Sequence, residues 1–544
     1  MQIDKKLALG YVNFDSGVGQ NNEVEIRIPF DKVKELSRGK YVIIPYDKED
    51  YFYLARLTRG PFFTPDAVSR DSAFARASIV QAADIAFLPD YHGIGFCELI
   101  GIFDYNSSHL SGVQTRPYPK SAVYNLPPEK IQELLKLKGN MYLGQLSGYE
   151  GIRVYLDANS KVVLPRNIGI FGTVGSGKTN SAQVLIEEAS AAGWSVIVLD
   201  VEGEYISMDK PNSELEHNPG LKKKAEQYQI TPAGLDHFQV YHPANTDSKR
   251  PDSLEFSIPF GSLSPYELSA IMGMNETQED RFIDLWDKQV AEITAAPIKV
   301  KNPKNQWKAI RENELNEEPE YPELTIESLL QRLNIELNEQ KGSSKASWLV
   351  VKRLLNRLRR FGIFDSTEDL IDTSDLMKPG KVSVLDLSNS FTVQVNNIVI
   401  AFLLRKIFDQ KIKNPDLPPT IIFIEEAHTF VSKDNASKME ALLDRLREVT
   451  RRGRKRWLGL CFISQQPSHL PEEIFELCNT KIIHQTTGAR NLNALKISGG
   501  NVNEAIWDDV PVLGQGRSII ISPQFQHPIM TNMRICKTNR EHTD

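Results

Sequence analysis

The amino-acid sequence predicts an α/β protein, in which a three-layer α/β domain carrying a helical insertion follows a small N-terminal β-barrel. Three observations lead to this fold class. Short β-like runs separated by Gly, Pro, Asn and Asp occupy the chain up to about Asn159. From Asn167 onward, strand-sized apolar runs are separated by helical or loop segments, as in parallel sheets covered on both faces. A helical pattern between Ser264 and about Phe364 interrupts these runs.

Size and composition fit a folded protein of several units. The 544 residues correspond to roughly three or four domains of ~150 residues each. Hydrophobic residues make up 41% and charged residues 25%, which excludes a largely disordered or fibrous protein. No apolar stretch approaches the ~20 residues of a membrane span, and no secretory segment follows Met1. We therefore expect a cytoplasmic protein without a membrane anchor.

The overall charge argues against a simple basic coat protein for nucleic acid. The chain has 64 Lys and Arg against 70 Asp and Glu, a formal net charge of −6, so its average field repels polyanions. Positive charge is nevertheless concentrated between Arg445 and Arg456, while the acidic stretch 312–323 is predicted to be a solvated loop. The four cysteines have no spacing typical of a metal or disulfide framework.

The individual elements follow from these patterns. In the first region the predicted strands are 23–28, 41–45, 51–57 and 95–103. In the second they are 168–171, 196–199, 382–387, 421–424, 458–463 and 518–521. The resulting division is an N-terminal barrel over 1–159, a first part of the α/β domain over 160–263, a helical insertion over 264–364, and a second part with a closing strand over 365–544.

Within the insertion, two features predict helices. Ser264 can cap a helix, Pro265 suits its first position, and Glu267 can reach back to the cap. The basic run 352–360 has leucines at helical spacing. That run is more typical of the exposed face of a packed helix than of a binding site.

The most specific motif is a glycine-rich loop between a predicted strand and a predicted helix. Its glycines allow backbone N–H groups to approach phosphate oxygens, and the following helix adds positive potential. In this arrangement Lys178 reaches the β- and γ-phosphates of a nucleotide, and Thr179 can bind Mg²⁺. The predicted loop residues are Gly172, Thr173, Val174, Gly175, Ser176, Gly177, Lys178 and Thr179.

Two carboxylates follow the apolar run 420–424. Glu425 is placed to support Mg²⁺, and Glu426 is placed to polarise an attacking water. The next buried run, 458–463, leads to Gln465, a candidate sensor that can hydrogen-bond the γ-phosphate or the water. The predicted ligands are therefore ATP and Mg²⁺.

Two further segments allow more than one interpretation. The basic cluster before residue 458 is either a solvated helix end or a source of arginines, one for a neighbouring subunit's γ-phosphate and others for nucleic-acid phosphates. The carboxylates of the segment 200–205 assist the metal or the water, or the segment is a turn held by Gly203.

Together these motifs resemble the HerA-type ATPases, within the larger class of FtsK-like DNA pumps and conjugative ATPases. The resemblance extends from about Asn167 to about Pro528 and rests on the order of the motifs. They are GTVGSGKT, DVEGEY, FIEEAH, RRGRK, ISQQPS and the closing LGQGR. This family commonly has Asp where Glu425 stands, and Pro-His where Val201-Glu202 stands.

The resemblance implies a RecA-like P-loop motor domain with a helical insertion, an N-terminal barrel of the HAS type, and a ring of six subunits around double-stranded DNA. It also implies that Arg454, with Arg451 and Arg452 as substitutes, acts on the neighbouring subunit's nucleotide. Relatives work with a NurA-like nuclease in DNA end processing, or with Sir2-type or nuclease effectors in antiphage defence. We find no nuclease or NADase motif in this sequence.

The sequence favours an ATP-driven DNA translocase or helicase. An alternative is a regulatory ATPase ring that scaffolds and activates a partner effector with little translocation of its own. A third function, pumping protein across a membrane as secretion ATPases do, is less favoured because no membrane-anchoring segment is recognisable.

Overall fold

The protein is described from a computed structural model. The described residues are 7–14, 22–66, 68–69, 71–80, 90–294, 321, 323–339, 343–366, 370–390, 392–430, 440–500 and 502–541. The chain divides into two compact units: the first comprises Met1–Asp157 and Gly499–Met533, and the second comprises Ala158–Ser498 and Arg534–Asp544. The sequence-based division placed 499–533 with the α/β domain, whereas these residues group with the N-terminal unit.

The strands follow the apolar runs of the sequence closely. They are β1 (Gly10–Val12), β2 (Glu23–Ile28), β3 (Tyr41–Pro45), β4 (Tyr51–Pro65), β5 (Tyr91–Asp104), β6 (Leu110–Ser111), β7 (Ala122–Asn125), β8 (Met141–Leu146), β9 (Arg153–Leu156), β10 (Ile168–Phe171), β11 (Ser195–Asp200), β12 (Phe238–Pro243), β13 (Leu254–Phe256), β14 (Val382–Asp386), β15 (Thr420–Ile424), β16 (Leu458–Ser464), β17 (Thr480–Ile483), β18 (Arg517–Ile521) and β19 (Ile529–Met533).

The helices of the described residues occupy both units. They are α1 (Ala73–Val80), α2 (Pro128–Leu134), α3 (Lys178–Ala191), α4 (Glu214–His217), α5 (Pro219–Tyr228), α6 (Pro265–Ile271), α7 (Glu276–Thr294), α8 (Ile326–Glu339), α9 (Ser343–Phe361), α10 (Thr373–Leu376), α11 (Val393–Lys413), α12 (Ala427–Phe430), α13 (Glu440–Arg452), α14 (Glu472–Leu477), α15 (Ala489–Ser498) and α16 (Glu504–Asp509). Among these described helices, none is long and apolar enough to cross a membrane.

The first unit contains the predicted barrel. Its strands follow the order β2-β1-β7-β3-β4-β5, and an additional β2–β5 pairing closes the ring, so six strands enclose the core while β6 extends the β5 edge. Side chains that alternate inward along these strands fill the interior, among them Ile26, Val42 and Leu57, all fully buried. The predicted barrel is therefore confirmed.

The second unit contains a parallel sheet in the order β13-β12-β14-β11-β15-β16-β10-β17. Its central strands are buried at every position, as the continuous apolar runs predicted. One strand differs from that expectation. The run 518–521 lies in β18, which pairs antiparallel with β19 in the first unit, because the hairpin formed by the two strands reverses the chain within a few residues.

The predicted insertion lies between β13 and β14, and its described part contains the four helices α6 to α9 joined by non-helical segments. Pro265 begins α6 as predicted, but the Ser264 side chain makes no capping hydrogen bond. The backbone carbonyl of Ser264 instead accepts the Leu268 amide. Most of the predicted acidic loop, 312–320, lies outside the described residues.

Candidate active site

The glycine-rich loop connects β10 to α3 at the carboxyl edge of the parallel sheet. A side chain at Gly172 would place its Cβ 2.7 Å from both His484 Cβ and Ser176 Oγ. Gly175 and Gly177 have φ angles of 72° and 109°, a region that side chains disfavour. The three glycines therefore allow a backbone conformation that residues with side chains could adopt only under strain, as a phosphate-binding loop requires.

The end of β17 fixes this loop from the side. The Gln485 carbonyl accepts hydrogen bonds from Thr173 N at 2.8 Å and from Thr173 Oγ1 at 3.0 Å. His484 Nε2 lies 2.9 Å from Ser181 Oγ on α3. Sequence reasoning did not identify these residues, because it could not tell that β17 is the neighbour of β10.

Lys178 is the cation of the site. Its side chain is 7% exposed, and Nζ donates a 3.0 Å hydrogen bond to the Thr173 carbonyl. Burial lowers the pKa of Lys178, while the nearby Glu426, Glu204 and Glu425 partly oppose that shift. A buried ammonium can bind phosphate oxygens at little desolvation cost, since it has already left bulk water.

Glu425 lies fully within the protein, against Asp200 on the neighbouring strand β11. Asp200 accepts hydrogen bonds from the amides of Gly203, Glu204 and Tyr205. Burial raises the pKa of Glu425 well above its usual value, and the nearby Asp200 charge raises it further. Burial also raises the pKa of Asp200, to about 6, against the lowering effect of its hydrogen bonds.

This contact combines the two interpretations of segment 200–205. The segment is a turn in which Gly203 has a φ of 76°, and it also brings the Asp200 carboxylate to Glu425. Two acids in one buried position repel each other when both are ionised, so a divalent cation nearby would relieve that repulsion. The donor set therefore fits a hard cation such as Mg²⁺.

Oε1 of the Glu426 carboxylate accepts a hydrogen bond, whereas the buried Oε2 accepts none within the described residues. Gln465 Nε2 donates to Oε1 at 2.6 Å, and His428 Nδ1 lies 3.0 Å from Oε2. Burial raises the pKa of Glu426, but the contacts with His428 and Gln465 outweigh it, and the net pKa lies below its usual value. Glu426 is thus an oriented carboxylate, which can align and polarise a water molecule. His428, whose Nδ1 also lies 3.3 Å from Ser464 Oγ, is an orienting residue that sequence reasoning missed.

The strand order explains why these side chains meet. β15 and β10 flank β16 on its two sides, so the loop after β10, the carboxylates after β15 and Gln465 after β16 lie at one edge of the sheet. The structure therefore brings together Lys178, Glu425, Glu426 and Gln465.

The predicted arginines lie at the other edge. Arg454 precedes β16 and Gln465 follows it, and seven strand residues at ~3.3 Å each separate the two ends by roughly 20 Å. Arg452 pairs with Glu448 at 3.1 Å. Arg451 is exposed and Arg454 is half-buried, and neither forms an ion pair within the described chain segments. The side chain of Arg445 lies outside the described residues.

A phosphate loop between a parallel strand and a helix, with an oriented carboxylate at the end of a second strand one position beyond its neighbour in the sheet, defines a P-loop ATPase. Comparison with protein families gives the particular group. The model described as "Helicase HerA, central domain" matches residues 141–407, and "Helicase HerA-like C-terminal" matches residues 322–505. The chain belongs to the HerA-type P-loop ATPases, and it is accordingly an ATP-hydrolysing enzyme.

Two similar curated proteins both carry the name of HerA helicases, in agreement with the family match. The chain is 25% identical over 539 residues to the DNA double-strand break repair helicase HerA of Saccharolobus solfataricus, with 97% of this chain and 92% of that protein covered. It is 22% identical over 454 residues to the protein of the same name from Pyrococcus furiosus, with 76% and 72% covered.

The solved structures to which the chain is similar include VirB4 and TrwB. VirB4 of Thermoanaerobacter pseudethanolicus is 15% identical, with a TM-score of 0.47, and the match covers 73% of this chain and 96% of that one. The plasmid coupling protein TrwB in complex with an ATP analogue is 11% identical, with a TM-score of 0.46 and coverage of 77% and 95%.

Proposed function

We propose that this ATPase assembles into a ring, six subunits in number, that translocates double-stranded DNA. The observation that carries the proposal is the separation of Arg454 from Gln465 by the full length of β16. Arg454 stands too far from its own phosphate loop to stabilise charge there. A neighbouring subunit can place the same arginine at the next nucleotide, so hydrolysis becomes an event between subunits. The HerA relatives, which are named as DNA repair helicases, support DNA as the substrate.

ATP binding follows from the loop geometry. The amides of 172–178 and the Lys178 ammonium hold the phosphates. Thr179 and Glu425 would hold Mg²⁺, and Asp200 lies against Glu425. The metal neutralises charge on the β- and γ-phosphates when it is bound. Mg²⁺ characteristically takes only one or two protein carboxylates together with substrate phosphates. This agrees with the absence, among the described residues, of any group of three His, Cys, Asp or Glu that could hold a metal alone.

The hydrolytic step uses Glu426 and Gln465. Glu426 accepts the proton of the attacking water, and its position is fixed by Gln465 and His428. Gln465 follows β16, the neighbour of the phosphate-loop strand β10, so movement of its amide would report whether the γ-phosphate is present. The arginine of the next subunit supplies the remaining positive charge in the transition state.

In this proposal, each cycle of ATP binding and hydrolysis moves the ring along DNA. A partner subunit, a NurA-like nuclease or a Sir2-type or nuclease effector, supplies any further chemistry, because the sequence lacks nuclease and NADase motifs of its own. The role is then DNA end processing or antiphage defence.

ATP turnover of the purified full chain with and without duplex DNA tests this proposal. We expect the isolated protein to hydrolyse ATP faster when DNA is added. Turnover that is insensitive to DNA and rises only with a co-purified partner would contradict the motor and would favour a regulatory ring.

A further inference from the structure

Helix α9 of the insertion has one buried and one exposed face. The buried face packs into the insertion through apolar side chains that are at most 6% exposed: Trp348, Val351, Leu355, Leu358 and Phe361. The sequence predicted this packing for the run 352–360, and the structure confirms it. The other face carries a row of cations that the nucleotide site does not use.

The exposed row consists of Lys345, Arg353, Arg357 and Arg360, here called the basic stripe. Spacings of eight, four and three residues put these side chains on one side of the helix. Over 15 residues the stripe extends for about 22 Å at ~1.5 Å per residue. All four side chains are exposed, so the stripe is a straight, rigid line of positive charge.

The stripe differs from the other cations of the same helix. Arg359 pairs with Glu327 at 3.5 Å, and Lys352 Nζ donates to Asn334 Oδ1 at 2.7 Å. Within the ranges that the structure describes, the four stripe residues form no ion pair. Like charges three or four residues apart destabilise a helix by about 0.2–0.5 kcal/mol per pair. The helix dipole stabilises cations only in the last turn of the helix. It therefore does not offset the repulsion between Arg353 and Arg357.

We propose that the basic stripe binds the phosphate backbone of duplex DNA, as a second contact surface outside the ATPase core. This inference rests on the proposed function. A polyanion removes the repulsion along the stripe, and each bound phosphate releases counterions. Leu349, which lies between Lys345 and Arg353 on the same side of the helix, is an apolar side chain that is 43% exposed. Single-strand binding typically uses aromatic stacking platforms, and the stripe has no aromatic side chain, so its chemistry fits a double helix.

The test compares two double variants of the full chain that remove the same charge from the same helix. Arg353→Gln with Arg357→Gln removes two stripe residues. Lys352→Gln with Arg359→Gln removes two cations that have partners in the chain. Duplex binding is measured by fluorescence anisotropy at several salt concentrations. For the stripe variant we expect the slope of log Kd against log salt to fall by about 2, at ~0.9 per phosphate contact. The control variant should keep the wild-type slope.

ATP turnover without DNA should be unchanged in both variants, because neither contains a residue of the nucleotide site. Equal salt slopes for the wild type and the stripe variant would overturn the inference, as would loss of binding to an acidic protein without any change in duplex binding. If the wild type itself does not bind duplex DNA at low salt, the proposed function fails as well, so the two failures are distinguishable.

Discussion

Glu426 occupies an unusual backbone position for a residue of its type, with a φ of 43°. Its carboxylate lies against Gln465, which donates to Oε1, and against His428, whose Nδ1 lies 3.0 Å from Oε2. Non-glycine residues with positive φ cost of order 1 kcal/mol or more and cluster at functional sites. The strain is consistent with a carboxylate that must face the phosphates.

The first prediction at this scale concerns Lys178. Lys178→Ala should abolish ATP turnover and weaken nucleotide binding, since the loop loses the cation that meets the β- and γ-phosphates. Steady-state ATPase assays and binding of a fluorescent nucleotide would measure both effects. Lys223→Ala, which changes an exposed lysine of α5 outside the site and outside the basic cluster, is the control and should behave like the wild type. Normal turnover by Lys178→Ala would contradict the assignment of Lys178 to the nucleotide site.

Replacement of Glu426 should separate binding from hydrolysis. Glu426→Gln keeps the side-chain volume and a group that Gln465 can contact, but it loses the proton acceptor, so turnover should fall by roughly 10²–10⁴-fold. Bound nucleotide recovered from the variant and analysed by chromatography should be ATP. Recovery of ADP at the wild-type rate would contradict the assignment of Glu426 as the base.

The sequence predicted the residues of the site that lie in local motifs, from Gly172 to Thr179 and at positions 425, 426 and 465. It did not predict the roles of His428 and Gln485. Their contacts depend on which strands are neighbours in the sheet, and that order is a tertiary property without a local pattern. The role of the carboxylates in the segment 200–205 was left open for the same reason, because the contact of Asp200 with Glu425 also depends on the strand order.

At the scale of elements, the strands were predictable because burial on both faces demands continuous apolar runs. The sequence did not predict that the C-terminal segment associates with α3. Arg534 is fully buried and pairs with Glu187 at 2.8 Å and with Glu188 at 2.7 Å, partners almost 350 residues away. The Asn180 side chain, next to Thr179, also bonds the backbone of Arg534 and Cys536.

This buried cluster gives a stability prediction. Arg534→Met leaves the buried Glu187 without its cation and Glu188 with only the partly exposed Lys537, which should lower the free energy of unfolding by about 3–5 kcal/mol. Lys537→Met is the matched control. Lys537 pairs with the same Glu188 at 3.2 Å but is 36% exposed, so its removal should cost less than about 1 kcal/mol. Equal denaturation midpoints for the two variants would contradict the account of the cluster.

At the scale of the whole molecule, the net charge of −6 says little about DNA, because a ring needs positive potential only where it meets the duplex. The arginines before β16 and the basic stripe of α9 are local concentrations of that kind. The composition alone could not locate these residues. Whether a cation is available to contact DNA depends on the exposure of its side chain and on its ion pairs within the protein.

A mixing experiment tests whether subunits share their active sites. Arg454→Ala alone should lower ATP turnover by about 10³-fold, as the loss of a finger arginine does. Lys178→Ala should also be inactive. Co-assembled rings of the two variants should recover part of the activity, since an intact loop in one subunit can meet an intact Arg454 in the next. Absence of recovery in co-assembled rings would argue against a site shared between subunits.

The central claim, that ATP hydrolysis moves this protein along double-stranded DNA, is tested most directly by triplex displacement. A third strand bound to a duplex should be released when the wild type and ATP are present. It should remain bound with Lys178→Ala, with Glu426→Gln or without ATP. Release that does not depend on ATP, or vigorous DNA-stimulated hydrolysis without any release, would contradict translocation.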